Sequence, residues 1–293
     1  MNTPHTAEPS APPTPDRYLV MGNPIEHSRS PWIHARFAEL TGQALAYGKQ
    51  LTPLDGFAAT LAALRQQGVR GCNVTVPFKF EAFAAATRHT GRATLAGACN
   101  TLAFNGDEVL GDNTDGVGLV RDITANAGVP LRGARVLLLG AGGAAAGVLG
   151  PLLGEQPREL VVCNRTAAKA EALVASHAAH AAHHKCELKS HTSQAIEGVF
   201  DVILNATASS LGGGDVPAPA RVLRPGALVV DMMYGPAAQP FLGWAAQHGA
   251  HGRDGLGMLV EQAAAAFELW RGVRPPGAQV LAELSVLLAS PKA

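Results

Sequence analysis

Apolar and polar positions alternate along this chain in two series of short buried runs, each interleaved with stretches of helical period. In the first series, Arg17–Met21 predicts a strand closed by Gly22-Asn23-Pro24. A helix over Pro31–Thr41 follows, with Pro31 suited to its first turn and Gly42 as its stop. Leu54, Phe57, Ala58, Leu61 and Leu64 recur at the spacing of one helix face and predict a helix over Leu54–Gln67. Gly71–Val76 predicts a strand stopped by Pro77, and Phe78–Thr87 a further helix. Ala98–Phe104 and Glu108–Gly111 predict two strands joined by the turn Asn105-Gly106-Asp107.

The second series begins with a helix over Gly118–Ala127. Strand Arg135–Leu139, helix Ala144–Leu153, strand Glu159–Cys163 and helix Ala167–Ala182 come next. Strands at Val199–Leu204 and Ala227–Asp231 and a helix at Gln239–Gln247 complete it. Two last helices, Met258–Trp270 and Ala278–Leu288, lie beyond the second sheet and are expected to return to the first. Strand–helix alternation of this kind predicts an α/β fold, with helices layered on mostly parallel sheets. No internal repeat is present.

At 293 residues the chain suits two ordinary domains. With 47% hydrophobic and only 16% charged residues, it is too apolar for a disordered protein. Its 23 basic residues balance its 23 acidic ones, which argues against a nucleic-acid partner but not against small anions. No apolar run approaches the roughly 20 residues that span a bilayer, so no membrane partner is expected. The start carries prolines at 4, 9, 12, 13 and 15 and lacks a secretory signal, so residues 1–16 read as a disordered tail. Cys72, Cys99, Cys163 and Cys186 lie far apart with no C-x-x-C pair, which points to a reducing cytoplasm and no metal.

Chemistry enters with Val136-Leu-Leu-Leu-Gly140-Ala141-Gly142-Gly143-Ala144-Ala145, a G-x-G-x-x-A pattern at Gly140, Gly142 and Ala145 between a strand and a helix. Small residues there permit the tight turn, the approach of a pyrophosphate and close helix–strand packing. The next strand ends in Asn164-Arg165-Thr166, with Lys169 one turn later, where an NAD site would carry an acid. A guanidinium grips a 2′-phosphate, so NADP is the expected cofactor. The plain alternative, two solvated cations at a helix start, runs against the helix dipole.

Polar clusters mark the ends of the first-series strands. They are Asn23-Pro24-Ile25-Glu26-His27-Ser28-Arg29-Ser30-Pro31, Asn73-Val74-Thr75-Val76-Pro77-Phe78-Lys79, Ala96-Gly97-Ala98-Cys99-Asn100-Thr101 and Gly111-Asp112-Asn113-Thr114-Asp115-Gly116. Hydroxyls, amides, one Lys and one Asp on a common cleft suit a polyhydroxylated substrate. Taken singly, Ser30 could be a helix cap and Asn113 or Asp115 a turn residue.

From about Tyr18 to Leu288 the sequence closely resembles the NADP-dependent shikimate dehydrogenase family. N-P-I-E-H-S-R-S-P, N-V-T-V-P-F-K, G-D-N-T-D-G, G-A-G-G-A, N-R-T, N-A-T and D-G-L-G-M-L-V-E-Q-A occur in the family's order. The resemblance implies a substrate domain (17–116 plus 254–293) and a Rossmann NADP-binding domain (117–253), with a cleft between them. It implies that Ser28, Ser30, Asn73, Thr75, Asn100, Asp115, Tyr234 and Gln262 hold shikimate. Gly140, Ala141, Gly142, Gly143, Ala144, Asn164, Arg165, Thr166, Lys169, Met232 and Gly255 would contact NADP. The implied reaction is the reversible reduction of 3-dehydroshikimate to shikimate, a step toward chorismate and the aromatic amino acids, by a monomer or homodimer. Lys79 and Asp115 are the expected catalytic pair, the plain alternative being a simple salt bridge.

Two positions depart from the family's pattern. Gly91 replaces a frequent acid near the cofactor, so nothing is carried over to it. Lys169 replaces a frequent second Arg of the phosphate clamp, leaving selectivity to Arg165. His177, His180, His183 and His184 read as an exposed Ala/His-rich helix end rather than a metal site. Cys72, Cys99 and Cys163, each directly preceding an Asn assigned to a ligand site, read as small buried side chains, a thiol open to alkylating reagents being the alternative. Two other functions stay open: a quinate/shikimate dehydrogenase of broader specificity, and a non-catalytic NADP-binding regulator. The acid-free Asn164-Arg165-Thr166 turn argues against an NAD-preferring version of the former, and the Lys79/Asp115 pair against the latter.

Overall fold

A computed structural model describes residues 14–207 and 218–289. All but the last three residues of the expected tail lie outside the described residues. Asp16, expected in that tail, is the first residue of a strand and pairs with Leu45.

The first half comprises β1 (Asp16–Gly22), α1 (Ser30–Thr41), β2 (Leu45–Leu51), α2 (Phe57–Gln66), β3 (Val69–Val74), α3 (Lys79–Ala85), β4 (Arg88–His89), α4 (Gly91–Ala96), β5 (Thr101–Asn105) and β6 (Glu108–Asp112). Its six strands form one sheet in the order β2-β1-β3-β5-β6-β4. Pairings β1–β2, β1–β3 and β4–β6 are parallel, while β3–β5 and β5–β6 are antiparallel.

The chain then crosses through α5 (Asp115–Arg121) into β7 (Arg135–Leu139), α6 (Gly143–Gly154), β8 (Glu159–Cys163), α7 (Ala167–His183), β9 (Glu187–His191), β10 (Phe200–Asn205), β11 (Leu223–Asp231), α8 (Gln239–Gln247) and β12 (His251–Arg253). These strands pair in parallel throughout, in the order β12-β11-β10-β7-β8-β9. That is the doubly wound order, with its switch point between β7 and β10. Apolar clusters cover both faces of this sheet, around Leu138 and Val162 on one side and Leu137 and Val161 on the other. Two-sided burial is why β7 and β8 read as unbroken apolar runs.

The last helices, α9 (Leu256–Arg271) and α10 (Gly277–Ala289), return to the first half as expected. Val260, Ala264 and Phe267 of α9 and Val280 and Leu284 of α10 share one core with Ile33 and Phe37 of α1.

The helix expected over Gly118–Ala127 begins three residues earlier and changes to a π-turn at Asp122–Asn126. Its start is fixed by the Asn113 side chain, whose Oδ1 accepts the Asp115 N–H at 3.2 Å. At its end the fully buried Asp122 carboxylate takes two bonds from Arg253, at 2.7 and 2.5 Å. Helix α9 approaches so closely there that a Cβ on Gly257 would lie 1.9 Å from Asp122 Oδ1.

Candidate active site

Four segments of the first half and one helix of the last bring their polar groups to a single point. Lys79 opens α3 and Asp115 opens α5, and Lys79 Nζ donates to Asp115 Oδ2 at 2.5 Å. The two side chains keep 20% and 10% of their surface exposed, so the pair is desolvated yet reachable from the cleft. The second Asp115 oxygen, Oδ1, accepts from Asn100 Nδ2 at 2.8 Å. That amide also lies 3.0 Å from Thr114 Oγ1 and 3.3 Å from Gln262 Oε1. Its own Oδ1 accepts from the Thr114 N–H at 2.8 Å, so Asn100 clamps the start of α5 from both ends of its amide.

Asn73 extends the network toward β1 and β2. Its Nδ2 donates to the Asn100 carbonyl at 3.2 Å and to Thr101 Oγ1 at 3.0 Å, and its Oδ1 accepts from the Tyr47 hydroxyl at 2.7 Å. Burial pushes the Tyr47 phenol well up, and the Ser30 side chain interacts with the same hydroxyl. Ser30 in turn stands beside Ser28, whose Oγ accepts the Ser30 N–H at 3.3 Å. Thr75 is half-buried at the end of β3, its N–H bonded to the Met21 carbonyl at 2.9 Å. Tyr234 packs against the α1–α9 core, and burial raises its phenol.

Six of the eight expected substrate residues, Ser28, Ser30, Asn73, Asn100, Asp115 and Gln262, therefore belong to one chain of contacts. The sequence reading missed Tyr47, Thr101 and Thr114 as members of it. It also missed Asp112, fully buried behind the site. Asp112 accepts from Thr90 Oγ1 at 2.6 Å, from Arg92 Nε at 2.7 Å and Nη2 at 2.5 Å, and from the Asn113 N–H at 2.7 Å. Thr101, Asp112 and Thr114 stand inside motifs already singled out, whereas Tyr47 and Arg92 carried no local signal.

The glycine turn occupies the switch point of the second sheet. Gly140 has φ +111°, and a Cβ there would lie 3.1 Å from the backbone of Ala206, so only glycine fits. Nothing lies within 4 Å of the Cβ position of Gly142. No side chain caps α6, leaving its first N–H groups open to an anion. Ala141 and Ala144 flank this opening. The Asn164 side chain donates to the Thr166 carbonyl at 3.0 Å and tightens the turn after β8. Arg165 and Lys169 are exposed there, with no ion pair among the described residues. On the far side of the switch point, Asn205 holds the neighbouring loop by accepting from Thr207 Oγ1 at 2.7 Å and donating to Asp231 at 3.1 Å. Met232 follows that Asp, and its carbonyl would lie 2.3 Å from a Cβ on Gly255. An uncapped helix start, an open glycine notch and two exposed cations one strand away fit a dinucleotide carrying a 2′-phosphate.

The histidine segment differs from expectation. His177 is buried on α7, with Nδ1 3.1 Å from the Leu173 carbonyl, and His180 Nε2 lies 3.2 Å from the Gly150 carbonyl of α6. These two lie on the inward face of α7, three residues apart, and of the four histidines only His183 is exposed. Among the described residues no three His, Cys, Asp or Glu side chains are grouped so as to hold a metal. All four cysteines are buried free thiols. Burial raises Cys99 to about 12 and Cys163 to about 11, and pushes Cys72 up as well.

Comparison with known proteins agrees with this geometry. Residues 20–102 match the shikimate dehydrogenase substrate binding domain, 122–212 the shikimate / quinate 5-dehydrogenase family and 255–284 the shikimate 5'-dehydrogenase C-terminal domain. A shikimate dehydrogenase (NADP(+)) of Acidovorax sp. (strain JS42) is 66% identical over 275 residues, covering 94% of this chain and 98% of the relative. Among solved structures, the Ael1 enzyme from Pseudomonas putida is 46% identical with TM-score 0.85, over 92% of this chain and 98% of that one. Shikimate 5-dehydrogenase from Thermus thermophilus, solved with NADP(H) and shikimate, is 31% identical with TM-score 0.79, over 92% and 99%. The fold and site are those of a two-sheet α/β dehydrogenase. The chain belongs to the shikimate dehydrogenase family.

Proposed function

We propose that this protein catalyses the reversible, NADP-linked interconversion of 3-dehydroshikimate and shikimate. The observation that carries the reading is the Lys79–Asp115 pair, held in a network of amides and hydroxyls opposite an uncapped, acid-free dinucleotide turn. Ser28, Ser30, Thr75 and Tyr234 present hydroxyls, and Asn73, Asn100 and Gln262 amides, to a substrate that is itself a polyol carboxylate. NADPH, when bound, supplies the hydride that reduces the C3 carbonyl. Gly140, Ala141, Gly142, Gly143 and Ala144 would receive its phosphates, Asn164, Arg165, Thr166 and Lys169 its 2′-phosphate end, and Met232 and Gly255 would contact the rest of it.

Lys79 acts on the proton. As the C3 carbonyl becomes a hydroxyl, its oxygen gains negative charge and takes a proton from the Lys79 ammonium. Asp115 fixes the direction of that ammonium, and its own orientation is fixed by Asn100. In the oxidative direction the same oxygen returns its proton to Lys79. Lys79 and Asp115 also disfavour a regulatory role, because a sensor needs no proton donor beside its ligand.

The residues from 17 to 116 and from 254 to 293 are assigned to substrate, and those from 117 to 253 to NADP. No helix among the described residues is long and apolar enough to cross a membrane. The reading has the protein act in the cytoplasm, as a monomer or homodimer. The test is spectrophotometric: NADPH formation from shikimate, with NAD and quinate as the alternative cofactor and substrate. Rates highest with NADP and shikimate support the reading. Equal rates with quinate would make the protein a broader dehydrogenase, and no turnover would leave a regulator.

A further inference from the structure

Phe80 is the residue after Lys79 on α3, and its side chain is unusual in this aromatic-poor chain. It remains 57% exposed, although neighbouring Phe78 is fully buried. The exposed ring is directed across the cleft. A Cβ placed on Gly143 would lie 3.7 Å from Phe80 Cζ and 3.8 Å from Cε2, and meets nothing else within 4 Å. Gly143 is the first residue of α6, where uncapped N–H groups face outward. One apolar ring from the first half of the molecule thus rests beside the anion-binding end of the second.

We propose that Phe80 is a positioning residue for the dinucleotide, forming the apolar wall of its pyrophosphate site from the opposite side of the cleft. Three physical consequences follow. A ring at that place excludes water from the first turn of α6, and N–H groups bind a phosphate more strongly in drier surroundings. Its edge is in contact range of a ligand seated on Gly143, so part of its exposed surface becomes buried when the site fills. Because Phe80 adjoins Lys79, a filled dinucleotide site also fixes the first turn of α3, which carries the proton-donating side chain.

The inference rests on the dinucleotide reading of the glycine turn, and the experiment separates the two. NADPH binding to the wild-type protein and to Phe80→Ala and Phe80→Leu is followed by fluorescence titration without substrate. Phe80→Ala should weaken NADPH binding about 5- to 10-fold, the worth of losing part of a buried ring, and Phe80→Leu should restore much of it. Adenosine 2′-phosphate, which reaches only the Arg165–Lys169 end, should bind all three proteins alike, and so should shikimate. Being exposed, Phe80 can be replaced without loss of fold, which an unchanged thermal midpoint checks. If the wild type binds NADPH and Phe80→Ala binds it equally well, the proposal is overturned. Equal losses for NADPH and shikimate would also overturn it, since the defect would then be a displaced α3. If the wild type binds no NADPH, the dinucleotide reading itself falls and the wall with it.

Discussion

Lys79 Nζ and Asp115 Oδ2 lie 2.5 Å apart although the residues are 36 positions apart and open two different helices, α3 and α5. Helix α5 leads out of the first sheet into the second, so this pair sits where the chain crosses the cleft. The Asp115 carboxylate is bound on both oxygens, by Lys79 on one and Asn100 on the other. A carboxylate so placed cannot turn away, and it holds the ammonium at a fixed point.

On the proposed reading, removing the Lys79 ammonium removes the proton donor. Lys79→Ala should lower kcat by roughly 10²–10⁴-fold, with a much smaller change in the KM for shikimate. Asp115→Asn should lower kcat as well, because the ammonium loses its anchor. Steady-state kinetics checks both. Turnover near wild type with weakened shikimate binding would make Lys79 a binding residue.

Arg165 should decide between the two nicotinamide cofactors. Arg165→Ala removes the planar donor set proposed to meet the 2′-phosphate, so kcat/KM for NADP should fall by about 10- to 100-fold, as the loss of a charge-assisted pair allows. The value for NAD should hardly move. Lys169→Ala should have a smaller effect in the same direction. An unchanged NADP/NAD ratio in Arg165→Ala would reject the assignment.

Asp112 is fully buried, and Arg92 is its cationic partner. Arg92→Ala leaves a buried carboxylate without its counter-charge, at a cost of about 2–4 kcal/mol, discounted because Arg92 itself is one-third exposed. The expected result is a lower denaturation midpoint. Since Asp112 also holds the Asn113 N–H and Asn113 holds that of Asp115, kcat should fall with it. Wild-type stability in Arg92→Ala would show that the carboxylate does not depend on this pair.

His34 has no exposed surface, neither ring nitrogen has a hydrogen-bond partner among the described residues, and the ring stacks on Tyr47 at 4.2 Å between centroids. Burial pushes its pKa down from 6.5 to about 3. The unfolded chain therefore takes up a proton below pH 6.5 that the folded protein refuses until about pH 3, and stability is lost as pH falls through that window. Buried His177, lowered for the same reason, adds to the trend. His34→Phe should flatten the fall in melting temperature between about pH 6.5 and 4 relative to wild type. Parallel curves for the two proteins would contradict this.

The central strands were legible in the sequence, and four strands were not. The missing four, β2, β4, β9 and β12, are the outer strands of the two sheets. Outer strands are short or polar because an apolar edge invites pairing with other chains. Leu45–Leu51 carries Gly48, Lys49 and Gln50, and Glu187–His191 is mostly polar, so neither shows the apolar run that marked β7 and β8. The same fact hid Tyr47. It lies on an outer strand, and only the pairing of β2 and β3 on either side of β1 brings its hydroxyl to Asn73. Arg92 was hidden for another reason: an exposed-type residue in a short helix has no pattern, and its role appears only when β6 brings Asp112 beside it. The Lys79–Asp115 ion pair and the glycine turn were legible because each lies in a dense motif at a strand end.

Transfer of deuterium from shikimate labelled at C3 tests the central claim most directly. The protein is incubated with the labelled compound and NADP, and both products are analysed by mass spectrometry. The expected result is NADPH carrying the deuterium and 3-dehydroshikimate without it, formed slowly or not at all by Lys79→Ala. Deuterium released to water, or no reduced cofactor from an intact, NADPH-binding protein, would contradict hydride transfer at this site.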